Sequence, residues 1–283
     1  MRDQTLRIHQ ALVARSLEFI QRDLEGDLSL EGLAERAGVS PFHFHRLFSS
    51  IVGEPPATYV RRLRLERAAR RLKHSRRAVT DIAFEAGYET HEAFSRAFKE
   101  KFGASPRRFR AERTSCGAEI ELEAQIVRMP PRWMAFVRHV GPYDETGEAF
   151  TKVLEWAAPR GHFAHASLLG VYWDDQRITP PERTRCEVGL YVDDSATGDG
   201  EIGVRCLAGG DYAVIHHQGP SDERRRIYDV IYERWLGERG REPADAPPIE
   251  VYPIHRGRLE PFDLVTSVYV PLAPKRATQA ARA

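Results

Sequence analysis

No stretch of the 283 residues is long and apolar enough to cross a bilayer, and the polar start MRDQTLRIHQ has no signal-peptide core. A cytoplasmic location is expected. Cysteine is scarce: Cys116, Cys186 and Cys206 are scattered, odd in number and without zinc spacing, so ordinary thiols are expected. GxGxxG, the Walker sequence, GxSxG and HExxH are all absent, which removes the common signals for dinucleotide, phosphate, serine-hydrolase and metalloprotease chemistry. His139, His216, His217 and Asp222 lie near strand ends rather than at i and i+4 on a helix, so neither a metal nor a cofactor is expected. Excess charge is lacking too, at a formal net of +1. That balance conceals a division: residues 1–115 carry 22 Lys/Arg against 15 Asp/Glu, whereas residues 116–283 carry 20 against 26. A basic half joined to an acidic half implies two domains, 1–115 and 116–283, with a polyanion as partner of the first.

The basic half contains one device twice. LAERAGVSPFHFHRLF (Leu33–Phe48) and IAFEAGYETHEAFSRAF (Ile82–Phe98) each read as a small apolar helix, an Ala-Gly turn and a second helix carrying Arg and aromatic residues. Gly38 answers Gly87, Arg46 answers Arg96 and Phe48 answers Phe98, with one more residue in the second turn. A glycine able to take positive φ between two short helices is the mechanical need of a helix-turn-helix. Ser40-Pro41 and Thr90 supply caps for the second helix of each copy. Between the copies, Tyr59–Arg77 holds nine Lys/Arg and one acid, Glu66. Leu63, Ala68 and Leu72 are expected inward on this helix and the arginines outward, toward phosphate.

These residues resemble the AraC/XylS family of transcription regulators over roughly residues 5–112, the closing GASPRRFR included. The resemblance implies an all-α domain of seven helices, with two helix-turn-helix units joined by a long helix. It also implies two reading helices set into successive major grooves of double-stranded DNA. By position, Phe42, His45 and Arg46 would face bases in the first copy, and His91, Glu92, Ser95 and Arg96 in the second. Arg suits guanine O6 and N7, and Phe suits a thymine methyl. Glu92 is acidic where familiar members carry an amide, so the second half-site is expected to differ. Arg61, Arg64 and Arg71 are expected on phosphates.

After Cys116 the texture becomes that of strands, and a second repeat appears at an offset of 78 residues: MAFVRHVGPYDETGEAFTKVLEW (Met134–Trp156) against YAVIHHQGPSDERRRIYDVIYERW (Tyr212–Trp235). Each copy gives a strand, a Gly-Pro turn and an amphipathic helix. LLGVYW and EVGLYV follow the first, IEVYPI and LVTSVYVPL the second. The expected fold is α+β: a duplicated strand-helix-strand-strand unit, two helices on an antiparallel sheet, with a cleft between the halves for a small molecule.

This half is similar to the GyrI-like effector-binding domains over about residues 119–273, through HxGPY/HxGP, GVYWDD, RCEVG and PIEVYPI. The domain order is that of Rob-type regulators. The resemblance implies a small, lipophilic or cationic effector, Glu250 as its countercharge and Glu187 as the alternative acid. Tyr172, Trp173, Tyr212 and Tyr252 are candidate aromatic walls, though period-two alternation cannot put all four on one side. Gly170 stands where the second copy has Glu250. A transcription regulator, leaning to activation of efflux or stress genes, is the leading reading. RNA polymerase is its further partner, the protein is a monomer or weak dimer, and its location is cytoplasmic and nucleoid-associated. Two alternatives remain. One is hydrolysis of small electrophiles by Glu250 with Tyr172 or Tyr212, and the other is a protein-binding modulator domain.

Overall fold

In the computed structural model the chain divides into two units, Met1–Arg113 and Thr114–Ala283. Residues 2–112, 123–162, 167–219, 223–252 and 266–274 are described. The first unit holds seven helices among them: α1 (Arg2–Arg22), α2 (Leu30–Ala37), α3 (Pro41–Val52), α4 (Pro56–His74), α5 (Val79–Glu85), α6 (His91–Phe102) and α7 (Pro106–Ala111). Their starts follow local chemistry. Ser29, Ser40, Thr90 and Ser105 each accept a bond from a backbone N–H three residues on, at 3.0–3.3 Å. Gly38 and Gly87 turn the chain at φ 68° and 81°. Two helices depart from this pattern: α4 starts at Pro56 after Pro55 and α5 at Val79 after Ala78, each with no side-chain cap.

Helix α4 threads the unit. Tyr59, Val60 and Leu63 close a core with Leu12, Val13, Ile20, Leu33, Phe44 and Phe48. Beyond it, Phe98 meets Phe94, Phe102 and Phe109 with ring centres 5.5, 4.5 and 5.3 Å apart.

The arginines of α4 do not splay outward as a set. Arg62 is buried and donates through Nε to Glu54 at 2.9 Å and through Nη1 to Glu66 at 3.3 Å; Glu66 also accepts from Lys101 of α6 at 3.0 Å. Arg64 donates to the carbonyls of Leu24 and Gly26 at 2.8 and 3.3 Å. Arg67 and Arg71 both reach Glu25, at 3.2 and 3.3 Å, and Arg71 and Arg77 converge on Glu85 of α5. The physical reason is that Glu25, Glu54 and Glu85, on other elements, supply the acids that α4 itself lacks. Arg61 alone of the three phosphate candidates is exposed, 3.9 Å from Glu100; Arg64 and Arg71 serve as internal ties.

In the second unit eight antiparallel strands form one sheet in the order β1-β6-β8-β7-β3-β4-β2-β5. They are β1 (Ala124–Met129), β2 (Arg132–Val140), β3 (Leu168–Tyr172), β4 (Arg185–Val192), β5 (Gly203–Leu207), β6 (Gly210–His217), β7 (Ile249–Tyr252) and β8 (Thr266–Pro271). β2-β3-β4 and β6-β7-β8 are the two copies of the repeat, and they meet where β3 pairs β7. β5 carries no alternating signal and was not expected. The expected extension of β7 through Pro253 and Ile254 lies outside the described residues.

One helix belongs to each copy: α8 (Gly147–Ala157), and α9 (Glu223–Val230), which runs on through a π turn at Ile231–Trp235 into α10 (Leu236–Glu238). Both lie on the same sheet face. α8 packs Phe150, Val153 and Trp156 on Ala135, Val137, Leu168 and Val188, while α9 and its extension pack Ile227, Ile231 and Trp235 on Ala213, Ile215, Val268 and Val270. The opposite face gathers Met134, Phe136, Leu169, Val171, Tyr212, Val214 and Ile249.

Removing one partner of a buried ion pair strands the others, at about 3–5 kcal/mol. Glu66→Ala, which deprives both Arg62 and Lys101, is expected to lower the unfolding free energy of the first unit by about that amount in urea titration. Glu112→Ala, which removes an exposed pairing with Arg108, should cost under about 1 kcal/mol.

Candidate DNA-reading helices and effector site

Helices α3 and α6 are amphipathic in matching phase. Phe44, Leu47 and Phe48, and likewise Phe94, Ala97 and Phe98, are buried, which turns the intervening residues to the surface. Phe42, His45 and Arg46 are exposed on α3; Glu92 and Arg96 are exposed on α6, with His91 and Ser95 partly so. Phe42 is 73% exposed, and the Arg46 guanidinium lies 5.7 Å from its ring centre. An aromatic ring of that size held out in water, with a guanidinium over it, suits contact with a partner surface better than core packing. His43 packs edge-on to His9 at 5.7 Å, so its role is at least partly structural.

In the second unit the two copies of the repeat touch at one residue pair of note: Gly170 of β3 lies opposite Glu250 of β7. Glu250 is 5% exposed and sits on the helix-covered face. Its Oε1 accepts from the hydroxyl of Tyr228 on α9 at 2.8 Å, and its Oε2 accepts from Tyr252 at 2.7 Å. Tyr172 joins the chain through a 2.6 Å contact with the Tyr252 hydroxyl. Gly170 makes this possible: a Cβ there would lie 2.7 Å from the Tyr172 ring and hydroxyl, so the tyrosine folds back over a position that must carry no side chain. Burial, then the neighbouring charge of Glu250, holds the Tyr228 pKa well above the usual tyrosine value, so this phenol keeps its proton.

Residues of the sequence motifs fix Tyr172 from behind. Tyr143, of the HxGPY turn, packs on Tyr172 at 4.8 Å and places its hydroxyl against the Asp174 and Arg185 carbonyls at 2.9 and 3.1 Å. Burial raises its pKa well above the usual value, with Asp174 adding to the effect. Arg185 in turn donates to both Asp174 oxygens at 2.7 Å. GVYWDD and RCEVG are therefore the two sides of one buried ion pair. His139, whose Nε2 is 3.0 Å from the Pro142 carbonyl, serves the same turn.

The remaining candidates stand elsewhere. Glu187, Trp173 and Tyr212 are on the opposite sheet face from Glu250, because each is an odd number of residues from the positions that face the helices. Glu187 is 1% exposed and is held between Arg138 at 3.2 Å and Arg205 at 2.8 Å, so its charge is answered within the fold. The Tyr212 hydroxyl donates to the Ala208 carbonyl at 2.8 Å. Hence the six ligand candidates split into Glu250, Tyr172 and Tyr252 on one side and Glu187, Trp173 and Tyr212 on the other. A hydrolytic grouping of Glu250 with Tyr212 is not assembled. Tyr228 and Tyr143 belong to the site and were not singled out. The only signal for Tyr228 was its place on an amphipathic helix, which does not tell a core residue from a site residue. Among the described residues no cluster of His, Cys, Asp or Glu could hold a metal.

Gly170→Ala should force Tyr172 off Glu250's partner and lower the unfolding free energy by about 1–3 kcal/mol, the usual cost of overpacking. In a Tyr172→Ala background the same change should cost much less. A double-mutant cycle by chemical denaturation measures the difference.

Residues 122–273 match the family described as the GyrI-like small molecule binding domain, and residues 33–112 match a helix-turn-helix domain family. The putative HTH-type transcriptional regulator YkgA of Escherichia coli (strain K12) is 35% identical over 103 residues, 36% of this chain and 43% of that protein. The HTH-type transcriptional activator AarP of Providencia stuartii is 30% identical over 120 residues, 42% of this chain and 89% of that protein. The right origin-binding protein of Escherichia coli (strain K12) is 33% identical over 102 residues, 36% of this chain and 35% of that protein. The chain thus spans less than half the length of two of these three relatives. With two helix-turn-helix units in its basic half and a duplicated strand-helix-strand-strand sheet in its acidic half, the chain belongs to the AraC-type DNA-binding transcriptional regulators that carry a GyrI-like domain.

Proposed function

We propose that the second unit senses a small cationic effector at Glu250, and that the first unit reads DNA through Arg46 and Arg96 with Phe42, His45, His91, Glu92 and Ser95 beside them. The observation that carries the effector reading is Glu250 itself: a buried carboxylate at the seam of the two copies, accepting from the hydroxyls of Tyr228 and Tyr252. Phenols orient a carboxylate without cancelling its charge, and a buried carboxylate set among aromatic residues suits a cationic effector. AarP is named a transcriptional activator, and activation through RNA polymerase is the corresponding reading for this chain. Cytoplasmic, nucleoid-associated action fits that role, and no helix among the described residues is long and apolar enough to cross a membrane.

Glu250→Gln keeps size and much of the hydrogen bonding but removes the charge. Affinity of the full chain for a cationic ligand should fall about tenfold or more, while a neutral analogue of equal shape should bind nearly as before. Calorimetry on one matched pair decides it; equal losses for both would make Glu250 a fold residue.

For DNA, binding should weaken steeply with salt. Arg46→Ala and Arg96→Ala should each cost about 1–3 kcal/mol of discrimination between a selected site and a scrambled duplex, with the melting temperature unchanged. Arg71→Glu should instead lower the melting temperature, since Glu25 and Glu85 would each lose one arginine partner and meet a like charge. A site preference untouched by both alanine changes would overturn the assignment of the reading helices.

A further inference from the structure

Helix α4 carries charge on two flanks, with apolar residues in the gaps between them. At about 100° per residue, Arg62 and Glu66 lie within about 40° of one another, and Arg64, Arg67 and Arg71 form a second stripe about 150° away. Tyr59, Val60 and Leu63 fill one gap, toward the core of the first helix-turn-helix; Leu65, Ala68, Ala69 and Leu72 are buried in the other. On the first flank a chain of four charges crosses the helix. Glu54, which follows α3, accepts from Arg62; Arg62 donates to Glu66, and Glu66 accepts from Lys101 near the end of α6, at 2.9, 3.3 and 3.0 Å. On the second flank Arg64 donates to the carbonyls of Leu24 and Gly26, ahead of α2, at 2.8 and 3.3 Å. Its Nη1 also lies under the second turn, only 2.6 Å from where a Cβ on Gly87 would stand. Arg67 adds bonds to Glu25 at 3.2 Å and to the Glu85 carbonyl at 3.0 Å, and Arg71 pairs with both glutamates. Each motif is thus fastened to α4 on both flanks: the first at Glu54 and at Leu24–Gly26, the second at Lys101 and at Glu85–Gly87. A body tied at one point swivels about it; a body tied on both flanks of a helix does not.

From this arrangement we infer that the two clamps set the protein's selectivity for half-site spacing, with Lys101 and Arg64 as its positioning residues. They hold α3 and α6 at one separation and one rotation, so DNA whose half-sites stand one base pair nearer or farther apart is rejected. The inference rests on α3 and α6 being the reading helices. One base pair displaces a half-site by about 3.4 Å and turns it by about 34° around the duplex, which takes base edges out of reach of a side chain on a rigid helix. Apolar packing is non-directional and resists such a rotation poorly, whereas hydrogen bonds of fixed donor and acceptor geometry define an angle. The clamps are also shielded from salt: the side chains of Arg62, Glu66, Arg67 and Arg71 are 9%, 4%, 10% and 11% exposed.

The test uses the full chain and a duplex that the wild-type protein selects from a random library. Its half-sites are the positions at which Arg46→Ala and Arg96→Ala lose discrimination, and two further duplexes carry one base pair more or one fewer between them. Affinities are read by fluorescence anisotropy at fixed salt, below the melting temperature of every variant. Wild type is expected to favour the selected spacing by about tenfold or more, since a displaced helix forfeits its base contacts. Lys101→Met on the first flank and Arg64→Met on the second should each reduce that factor to about threefold or less. A lost phosphate contact weakens all three duplexes alike and leaves the ratio unmoved. Lys101→Arg, which keeps the charge on α6, should retain the wild-type ratio. Val13→Ala, a core change in α1 that lowers the melting temperature without touching either flank, should retain it too. A wild-type protein indifferent to spacing, a ratio unchanged in both methionine variants, or an equal loss in Val13→Ala would overturn the inference while leaving the reading helices standing. Discrimination untouched by both Arg46→Ala and Arg96→Ala would overturn the reading helices, and the inference with them.

Discussion

A carboxylate withdrawn from water must be met by hydrogen-bond donors or cations, and the arrangement of both units follows from how that demand is answered. In the first unit Glu66 takes Arg62 and Lys101, while Glu25 and Glu85 share the later arginines of α4. These ties hold the elements carrying α3 and α6 to one long helix, which fixes the separation and tilt of the two reading helices. In the second unit Asp174 takes Arg185 and Glu187 takes two arginines. Glu250 takes the hydroxyls of Tyr228 and Tyr252.

Charge within the basic half is accordingly spent in two ways. Most α4 guanidinium groups are consumed by acids from neighbouring elements, so net charge overstates what remains for phosphate. Arg46, Arg61 and Arg96 keep outward positions. A DNA-binding surface made of a few exposed cations on rigid helices favours register over bulk attraction.

The helix-turn-helix units were legible because their signals are local: a positive-φ glycine, a cap two or three residues later, and aromatic residues one turn apart. The duplication of the second half was legible for a similar reason, through Met134–Trp156 and Tyr212–Trp235. What escaped was decided by contacts distant in sequence. Glu25 lies 46 residues before Arg71 and Glu85 14 residues after it, so the α4 sequence alone read as a bare basic stripe. Tyr228 reaches Glu250 only once α9 folds onto β7. Parity settled the remainder: Trp173 and Tyr212 fall out of phase with Tyr172 and Glu250, and the split became definite once the register of β3 on β4 and β7 was known. β5 escaped because GVRCL, with a glycine packed beneath the Phe136 ring, shows no two-residue rhythm.

Opposition of Gly170 and Glu250 has a consequence for how such a site arises. The two halves are related by an approximate twofold axis that passes between these residues. A symmetric pair of identical chains would put the same residue on both sides: two glutamates would repel one another, and two glycines would leave no charge. Joining the halves in a single polypeptide lifts that requirement, so one side can supply the anion while the other gives way to let a tyrosine fold across. An asymmetric ligand can then be held on a nearly symmetric frame, in one orientation instead of two.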